Sequence, residues 1–72
     1  MSRAETEALG ARIKSLRQAA SLTQEQVADR SGLHVTYVAS VESGKRNPSY
    51  LSIKSLSKGI GIPMSELLDG LS

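Results

Sequence analysis

The side chains with the most suggestive chemistry lie between Val35 and Asn47, in the segment VTYVASVESGKRN. Its first half offers small hydroxyl and methyl groups with one phenol, and its second half offers Lys45 and Arg46. Hydroxyl and methyl groups can read the edges of base pairs, and cations can pair with phosphates. This combination indicates a surface that recognises a polyanion with hydrogen-bonding edges, such as double-stranded DNA.

The distribution of charge agrees with this interpretation, although the net charge of +2 is small. From residue 33 to residue 58 the only acidic residue is Glu42, and the basic residues are Lys45, Arg46, Lys54 and Lys58. Phosphates would meet a positive potential in this part of the chain. A basic face that is merely solvated explains the same charge pattern equally well.

A short helix and a tight turn would precede these side chains. Thr23 and Gln26 have the T-x-x-Q spacing of a capping box, which predicts a helix that begins at Thr23. Gly32 would end that helix, because glycine adopts the positive φ of a helix C-cap without a steric clash. The turn is short, since apolar residues resume at Leu33.

The next helix would hold most of the candidate side chains. It is predicted to begin near His34 or Val35 and to end at Gly44, another glycine C-cap. The spacing of Val38 and Val41 places both on its inner face. The outer face carries Val35, Thr36, Ala39, Ser40 and Ser43. These outer side chains are small and uncharged, which suits close approach to a groove lined with base edges.

Three further helices complete the predicted architecture. The first is amphipathic, with an apolar stripe at Leu9, Ile13, Leu16 and Ala20. A fourth begins near Ser49 and ends at Gly59 or Gly61. Pro63 is expected in the first turn of a short fifth helix. The serines of the fourth helix that should face solvent are Ser52, Ser55 and Ser57. We therefore predict one compact all-α domain of five helices over residues 1–72.

The composition restricts where the protein works. The sequence has no cysteine, so neither a disulfide nor a thiolate zinc site is expected, and a reducing cytosol fits. No apolar run has the length of a membrane span, and the N-terminus lacks the apolar region of a secretory signal. We expect a cytoplasmic protein, associated with the nucleoid, that needs no metal or cofactor and has no membrane partner.

Three motifs together resemble the helix-turn-helix of the lambda-repressor-like (Cro/XRE) family. They are L-T-Q-x-x-V-A from Leu22, G-L-x-x-x-Y-V from Gly32 and V-E-S-G-K-R-x-P from Val41. The resemblance covers most of the chain. It implies a compact five-helix DNA-binding domain in which helices two and three form the helix-turn-helix, with helix three, the recognition helix, in the major groove.

A narrower resemblance concerns the length of the chain and the segment T-Y-V-A-S-V-E-S-G-K-R-N. Both look like the small controller proteins of restriction-modification systems, which autoregulate their own operon and switch on the endonuclease gene. Val35 differs from the arginine that many controllers have at this position, which affects the expected base preference. A phage-type repressor, an antitoxin and a stand-alone chromosomal regulator are the alternatives within the same family.

The resemblance also implies which side chains would meet DNA. Base contacts are expected from Val35, Thr36, Ala39, Ser40 and Arg46. Phosphate contacts are expected from Gln24, His34, Tyr37, Ser43, Lys45 and Asn47. Gln24 follows a helix N-terminus, where free amides attract anions. For Tyr37 the alternative is a partly buried packing residue, and for His34 it is an exposed helix cap.

Two interactions inside the protein are expected as well. In the resembling repressors a glutamate at the position of Glu42 pairs with an arginine late in helix one, here Arg17. A homodimer on a palindromic operator is expected because one recognition helix reads few base pairs, with half-sites about 34 Å apart. The apolar residues considered for the dimer interface are Ile62, Met64, Leu67, Leu68 and Leu71, and two of the five are expected to belong to the core instead. RNA polymerase would be a further partner if the protein activates transcription.

Other functional classes have less support. An enzyme is not expected, because the sequence offers one histidine, scattered acidic residues and no phosphate-binding glycine motif. A protein-binding adaptor with the same fold is the main alternative. An adaptor would be expected to carry large anchor residues on the outer face of the third helix, where this chain has small ones.

Overall fold

The computed structural model describes residues 2–71, which form five helices and, within that range, no strand. The helices are α1 (Arg3–Ala19), α2 (Gln24–Ser31), α3 (Val35–Glu42), α4 (Tyr50–Ile60) and α5 (Met64–Leu67). The all-α fold predicted from the sequence is confirmed. Helix α3 packs against both α1 and α2, α4 packs mainly against α2, and α5 contacts α4 and α1.

The helix starts follow the capping residues of the sequence. The side-chain oxygens of Ser2 and Thr23 each accept a hydrogen bond from the backbone amide of the third residue of the following helix. In turn, the side-chain oxygens of Glu5 and Gln26 accept hydrogen bonds from the backbone amides of the two cap residues. Ser49 caps α4 through a bond from the amide of Ser52. These side chains satisfy amides that a helix N-terminus otherwise leaves without partners.

The helix ends depend on glycine at two of the expected positions. Gly32 ends α2 with φ 73° and Gly61 ends α4 with φ 92°, so both adopt the left-handed conformation. Helix α3 ends at Glu42 with Ser43 as its C-cap, two residues before the predicted end at Gly44. Pro63 is the N-cap of α5 and lies outside its first turn, contrary to the prediction.

The core consists of buried apolar side chains from all five helices. They are Leu9, Ile13, Val27, Ala28, Val38, Val41, Leu56, Ile60 and Leu67. Burying one such large aliphatic side chain stabilises the fold by about 1.5–3 kcal/mol. Ser57 is also buried, which corrects the expectation that it faces solvent, and its hydroxyl donates to the carbonyl of Lys54 at 2.8 Å.

Helices α1 and α3 approach each other most closely at Gly10. A Cβ at this position would lie 2.2 Å from the carbonyl oxygen of Val41 and 2.7 Å from that of Glu42. Only a residue without a side chain allows the α3 backbone to lie against α1 at this distance. Gly10 therefore fixes how closely the end of α3 approaches α1.

None of the helices within residues 2–71 combines the length and the apolar character that a bilayer span requires.

Candidate nucleic-acid interface

Helix α3 divides its side chains between the core and solvent. Val38 and Val41 are buried against α1 and α2, as their spacing predicted. On the other side Thr36 is exposed, Val35 is 39% exposed, and Ala39 and Ser40 are half-buried. The structure therefore brings all four predicted base-contacting residues of α3 to its solvent-facing side.

Ser40 makes a hydrogen bond that the sequence analysis did not anticipate. Its hydroxyl donates to the carbonyl of Thr36 at 2.9 Å, within the same helix. A serine hydroxyl has one proton to donate, so Ser40 is left with acceptor capacity only. It can accept a hydrogen bond from a base amino group, whereas the exposed Thr36 hydroxyl can both donate and accept.

The backbone carbonyl of Ser40 accepts several of the hydrogen bonds that attach the following loop to α3. The oxygen of Ser40 accepts hydrogen bonds from the amides of Lys45 (3.0 Å) and Arg46 (3.3 Å) and from the Ser43 hydroxyl (3.0 Å). Gly44 permits this turn with φ 80° and packs closely against Glu7 of α1. The exposed Lys45, Arg46 and Asn47 side chains are thus carried on an ordered turn beside the outer face of α3.

Arg46 lies over the aromatic ring of Tyr37. The guanidinium carbon is 5.3 Å from the ring centroid, within the range of a cation–π interaction. Tyr37 itself is half-buried and packs against the core, so the packing alternative considered for it from the sequence is realised. No acidic side chain forms a salt bridge with Arg46 among residues 2–71.

A buried ion pair holds the C-terminal end of α3 to α1. Arg17 donates from Nε to Glu42 Oε2 at 2.7 Å and from Nη2 to Oε1 at 3.0 Å, the two-pronged geometry that only arginine offers. The structure thus contains the pair that the family resemblance implied. Both side chains are largely buried. The hydrogen bonds to Glu42 raise the pKa of Arg17 above its ordinary value, and burial acts in the opposite direction.

Two more bonds extend this pair to the start of α2. Arg17 Nη1 donates to the carbonyl of Leu22 at 2.9 Å, and Gln24 Nε2 donates to Glu42 Oε1 at 3.0 Å. We call Arg17, Gln24 and Glu42 the buried hub. It joins the end of α1, the start of α2 and the end of α3 around one carboxylate.

Gln24 and His34, two residues predicted to contact phosphate, lie at the N-terminal ends of α2 and α3. The Gln24 side chain is half-buried and bonded to Glu42, so an anion near α2 would meet chiefly the free amides of its first turn. His34 occupies the N-cap position of α3, as the alternative for this residue expected, and its side chain makes no cap hydrogen bond. It is exposed, and its contact with phosphate stays a prediction.

A second exposed surface lies away from α3 and is apolar. Tyr50 is 65% exposed and Leu51 is 69% exposed at the start of α4, and Leu68 after α5 is 39% exposed. A shallow cavity of about 320 Å³ adjoins Leu68 and is lined also by Glu5, Ala8, Leu9, Ile53, Gly70 and Leu71. Tyr50 precedes Ile53 by three residues and so lies on the same side of α4. We call Tyr50, Leu51, Ile53, Leu68 and Leu71 the apolar patch.

This patch changes the predicted dimer interface. Leu67 is fully buried in the core, so its assignment to the interface is wrong. Ile62 and Leu71 are half-buried against the core, and Met64 is half-buried. Among the five predicted residues Leu68 alone is classed as exposed. The sequence analysis missed Tyr50 and Leu51, although two large apolar residues directly after a helix cap were a usable signal.

Within residues 2–71 no group of three histidine, cysteine or acidic side chains lies close enough to hold a metal ion. The side chains on the outer side of α3, on its adjoining turn and on the apolar patch can form hydrogen bonds, make apolar contacts and attract anions.

Comparison with known families decides the classification. The family model described as Helix-turn-helix (HTH_3) matches residues 13–67, which contain α2, α3 and most of the remaining helices. The chain belongs to this helix-turn-helix family. In that family's terms α2 and α3 are the two motif helices, and the buried hub ties both of them to α1.

Several similar members of the helix-turn-helix family are control proteins. The chain is 40% identical to the control protein C.MunI of a Mycoplasma species over 63 residues, which are 86% of this chain and 85% of that protein. It is 36% identical to C.BamHI of Bacillus amyloliquefaciens over 61 residues, 83% of this chain and 75% of that protein.

Solved structures give the same picture. The crystal structure of the restriction-modification controller protein C.AhdI from Aeromonas hydrophila matches with a TM-score of 0.86 and 41% identity. That match covers 89% of this chain and 97% of C.AhdI. The wild-type controller C.Esp1396I also matches with a TM-score of 0.86, at 27% identity, over 93% of this chain and 88% of that chain.

Proposed function

We propose that this helix-turn-helix protein is a transcriptional regulator of the restriction-modification controller type that binds a specific duplex DNA sequence. The observation that carries the proposal is the outer side of α3 with its adjoining turn. Exposed Thr36 and Val35 stand beside exposed Lys45 and Arg46, and no carboxylate neutralises Arg46 within residues 2–71. Groove contacts would come from the first pair and phosphate or guanine contacts from the second.

Glu42 favours this proposal instead of opposing it. An acidic side chain on a DNA-binding helix would repel phosphates if it were free. Here the carboxylate is buried and accepts three hydrogen bonds from Arg17 and Gln24, so its charge is compensated inside the fold. The exposed charge of α3 and its following turn is therefore positive only.

Relatives named as control proteins support the controller type. They align over most of this chain and over three quarters or more of their own length. On this basis the protein would bind an operator near its own gene and govern a restriction-modification operon, in the cytoplasm and in contact with the nucleoid. RNA polymerase would be a partner at promoters that it activates.

A homodimer on a palindromic operator is part of the proposal. A single α3 of eight residues reads few base pairs, so two copies related by a two-fold axis are needed for a specific site. The apolar patch is the surface we assign to the second copy, because Tyr50 and Leu51 expose more apolar area than an isolated small domain needs. It replaces the interface centred on α5 that the sequence predicted.

The geometry of α3 gives little support to the alternative that the protein is a protein-binding adaptor. Val35 is the single large apolar residue exposed on that helix among residues 2–71, and it is only 39% exposed. The large exposed anchors are on α4 and suit contact with another copy.

A selection experiment tests the proposal. The protein is used to select duplexes from a random pool, and the selected sequence is titrated by mobility shift at two salt concentrations, intact and as a half-site. We expect a palindrome with half-sites about one helical turn apart, tighter binding than to the half-site, and affinity that falls steeply with salt.

Matched lysine variants give the control. Lys45→Ala should reduce the slope of log affinity for the intact palindrome against log salt by about 1.8, because each of the two bound copies loses one phosphate contact worth about 0.9. Lys58→Ala removes the same charge from the end of α4 and should change the slope little, because that site lies outside α3 and its turn. Retardation of all duplexes alike, or equal effects of the two variants, would contradict sequence-specific binding through α3.

A further inference from the structure

Arg46 is unusual among the arginines of this chain because its planar group rests on an aromatic ring. Its guanidinium carbon is 5.3 Å from the centroid of Tyr37, while its side chain remains exposed. A guanidinium that stacks on a ring keeps all its N–H groups in its own plane, so their edge stays available for an outside acceptor. The contact therefore restricts the orientation of Arg46 without consuming its donors.

The two residues are brought together by independent backbone features. Tyr37 and Ser40 are three residues apart, so they are neighbours on one side of α3. The carbonyl of Ser40 in turn binds the amides of Lys45 and Arg46, which places the start of the Arg46 side chain beside that same side of the helix. Tyr37 is half-buried and packs against the core, so the ring is a fixed support.

We propose that Tyr37 is a positioning residue that orients the Arg46 guanidinium toward the DNA before binding. This inference rests on the proposed function and assigns Tyr37 a role different from the phosphate contact predicted from sequence. Without the ring, Arg46 would sample many rotamers in the free protein and lose that freedom on binding. With the ring, part of that ordering is complete beforehand, which favours the complex.

The experiment separates the ring of Tyr37 from its hydroxyl. Affinities for the selected duplex are measured for Tyr37→Phe, Tyr37→Leu, Arg46→Ala and the double variant Tyr37→Leu with Arg46→Ala. Tyr37→Phe keeps the ring and should bind like the parent protein. Tyr37→Leu should bind more weakly by about two- to fivefold for each bound copy of the protein, the range of an exposed cation–π contact. In the Arg46→Ala background the Tyr37→Leu change should have little further effect.

Two results would overturn the proposal. If Tyr37→Phe weakens binding as much as Tyr37→Leu, the hydroxyl makes the contact with DNA and the ring is not a support. If Tyr37→Leu weakens binding equally with and without Arg46, the two residues act independently. Thermal melts of every variant verify that the measurements are made on folded protein.

A measurement without DNA keeps the inference separate from the proposed function. In the free protein the ring current of Tyr37 should move the side-chain proton resonances of Arg46 upfield relative to those of the exposed Arg3. If the Arg46 resonances are not displaced, the proposal is refuted even when the Tyr37→Leu variant does not fold. Presence of the displacement in a protein that binds no duplex would instead contradict the proposed function alone.

Discussion

Two groups of charged side chains near the C-terminal end of α3 contrast in their exposure to solvent. At the buried hub, Glu42 and Arg17 are withdrawn from solvent and satisfy each other through two hydrogen bonds. Beyond the helix end, Arg46 is exposed and lies over an uncharged ring. The buried charges hold the helix in place, whereas the exposed charge remains available for a ligand. Variants of the buried hub should therefore lose stability, whereas variants of Arg46 should lose affinity for DNA.

The largest expected effect is on stability, from Glu42→Ala. Removing the carboxylate leaves the Arg17 guanidinium buried without its partner, which should cost about 3–5 kcal/mol in the free energy of unfolding. Urea unfolding followed by circular dichroism measures this loss. The double variant Arg17→Met with Glu42→Leu should be less destabilised than Glu42→Ala, because no unpaired charge remains. A loss below about 1 kcal/mol in the single variant would show that the hub contributes like a surface pair.

The next effect is on affinity, from Thr36→Ala combined with Arg46→Ala. These changes remove a groove hydroxyl and a cation with a planar fork, so affinity for the selected duplex should fall about 30-fold or more. The melting temperature should stay close to that of the parent protein, since both side chains are exposed. Undiminished affinity of the folded double variant would refute groove binding by α3.

A third variant, Gly10→Ala, should affect both properties. The added Cβ would clash with the carbonyl oxygens of Val41 and Glu42, so the end of α3 must move away from α1. We expect a loss of about 1–3 kcal/mol in stability, together with weaker DNA binding. Gly59→Ala is the matched control, because its Cβ would meet α2 at 3.1 Å and leave α3 in place. Equal affinities of the two variants would contradict the positioning role of Gly10.

The smallest effect concerns the exposed carboxylate of Glu5. The hydrogen bond that the Ser2 backbone amide donates to the Glu5 carboxylate lowers the pKa of Glu5 below its ordinary value, and the Ser2 side chain adds to this effect. The carboxylate therefore stabilises the fold above its unfolded pKa of about 4.3, and this contribution is lost as pH falls through the lowered folded value. The melting temperature of the parent protein should exceed that of Glu5→Ala at pH 7, and the difference should shrink below pH 4. A difference that is constant with pH would exclude the ionised capping bond.

The sequence was informative about local structure and less so about packing. The Thr23 and Gln26 capping box and the valine spacing of α3 depend on neighbours along the chain, so they were predictable. Gly10 and Gly59 both lie inside helices, and a side chain at either position would crowd the backbone of another helix. Sequence reasoning had no access to that distance, and it considered Gly59 only as a helix end.

The candidate site shows the same division. Exposure of Thr36 and Val35 followed from helical periodicity, and the pair of Arg17 with Glu42 followed from family resemblance. The bond from Ser40 to Thr36 and the contact of Arg46 with Tyr37 depend on rotamers and on the path of the turn. Leu67 and Leu68 are adjacent leucines in sequence, and only the fold determines that the first is buried and the second exposed.

The carbonyl of Ser40 has a consequence for how such proteins diverge. Two of its three donors are main-chain amides, those of Lys45 and Arg46, and these are present whatever side chains stand at the two positions. Exchanges there would leave the turn geometry intact while altering what it presents. Single substitutions at these two positions can therefore change the preferred DNA sequence. Proteins that descend from one ancestor can then recognise different operators while they keep the same fold.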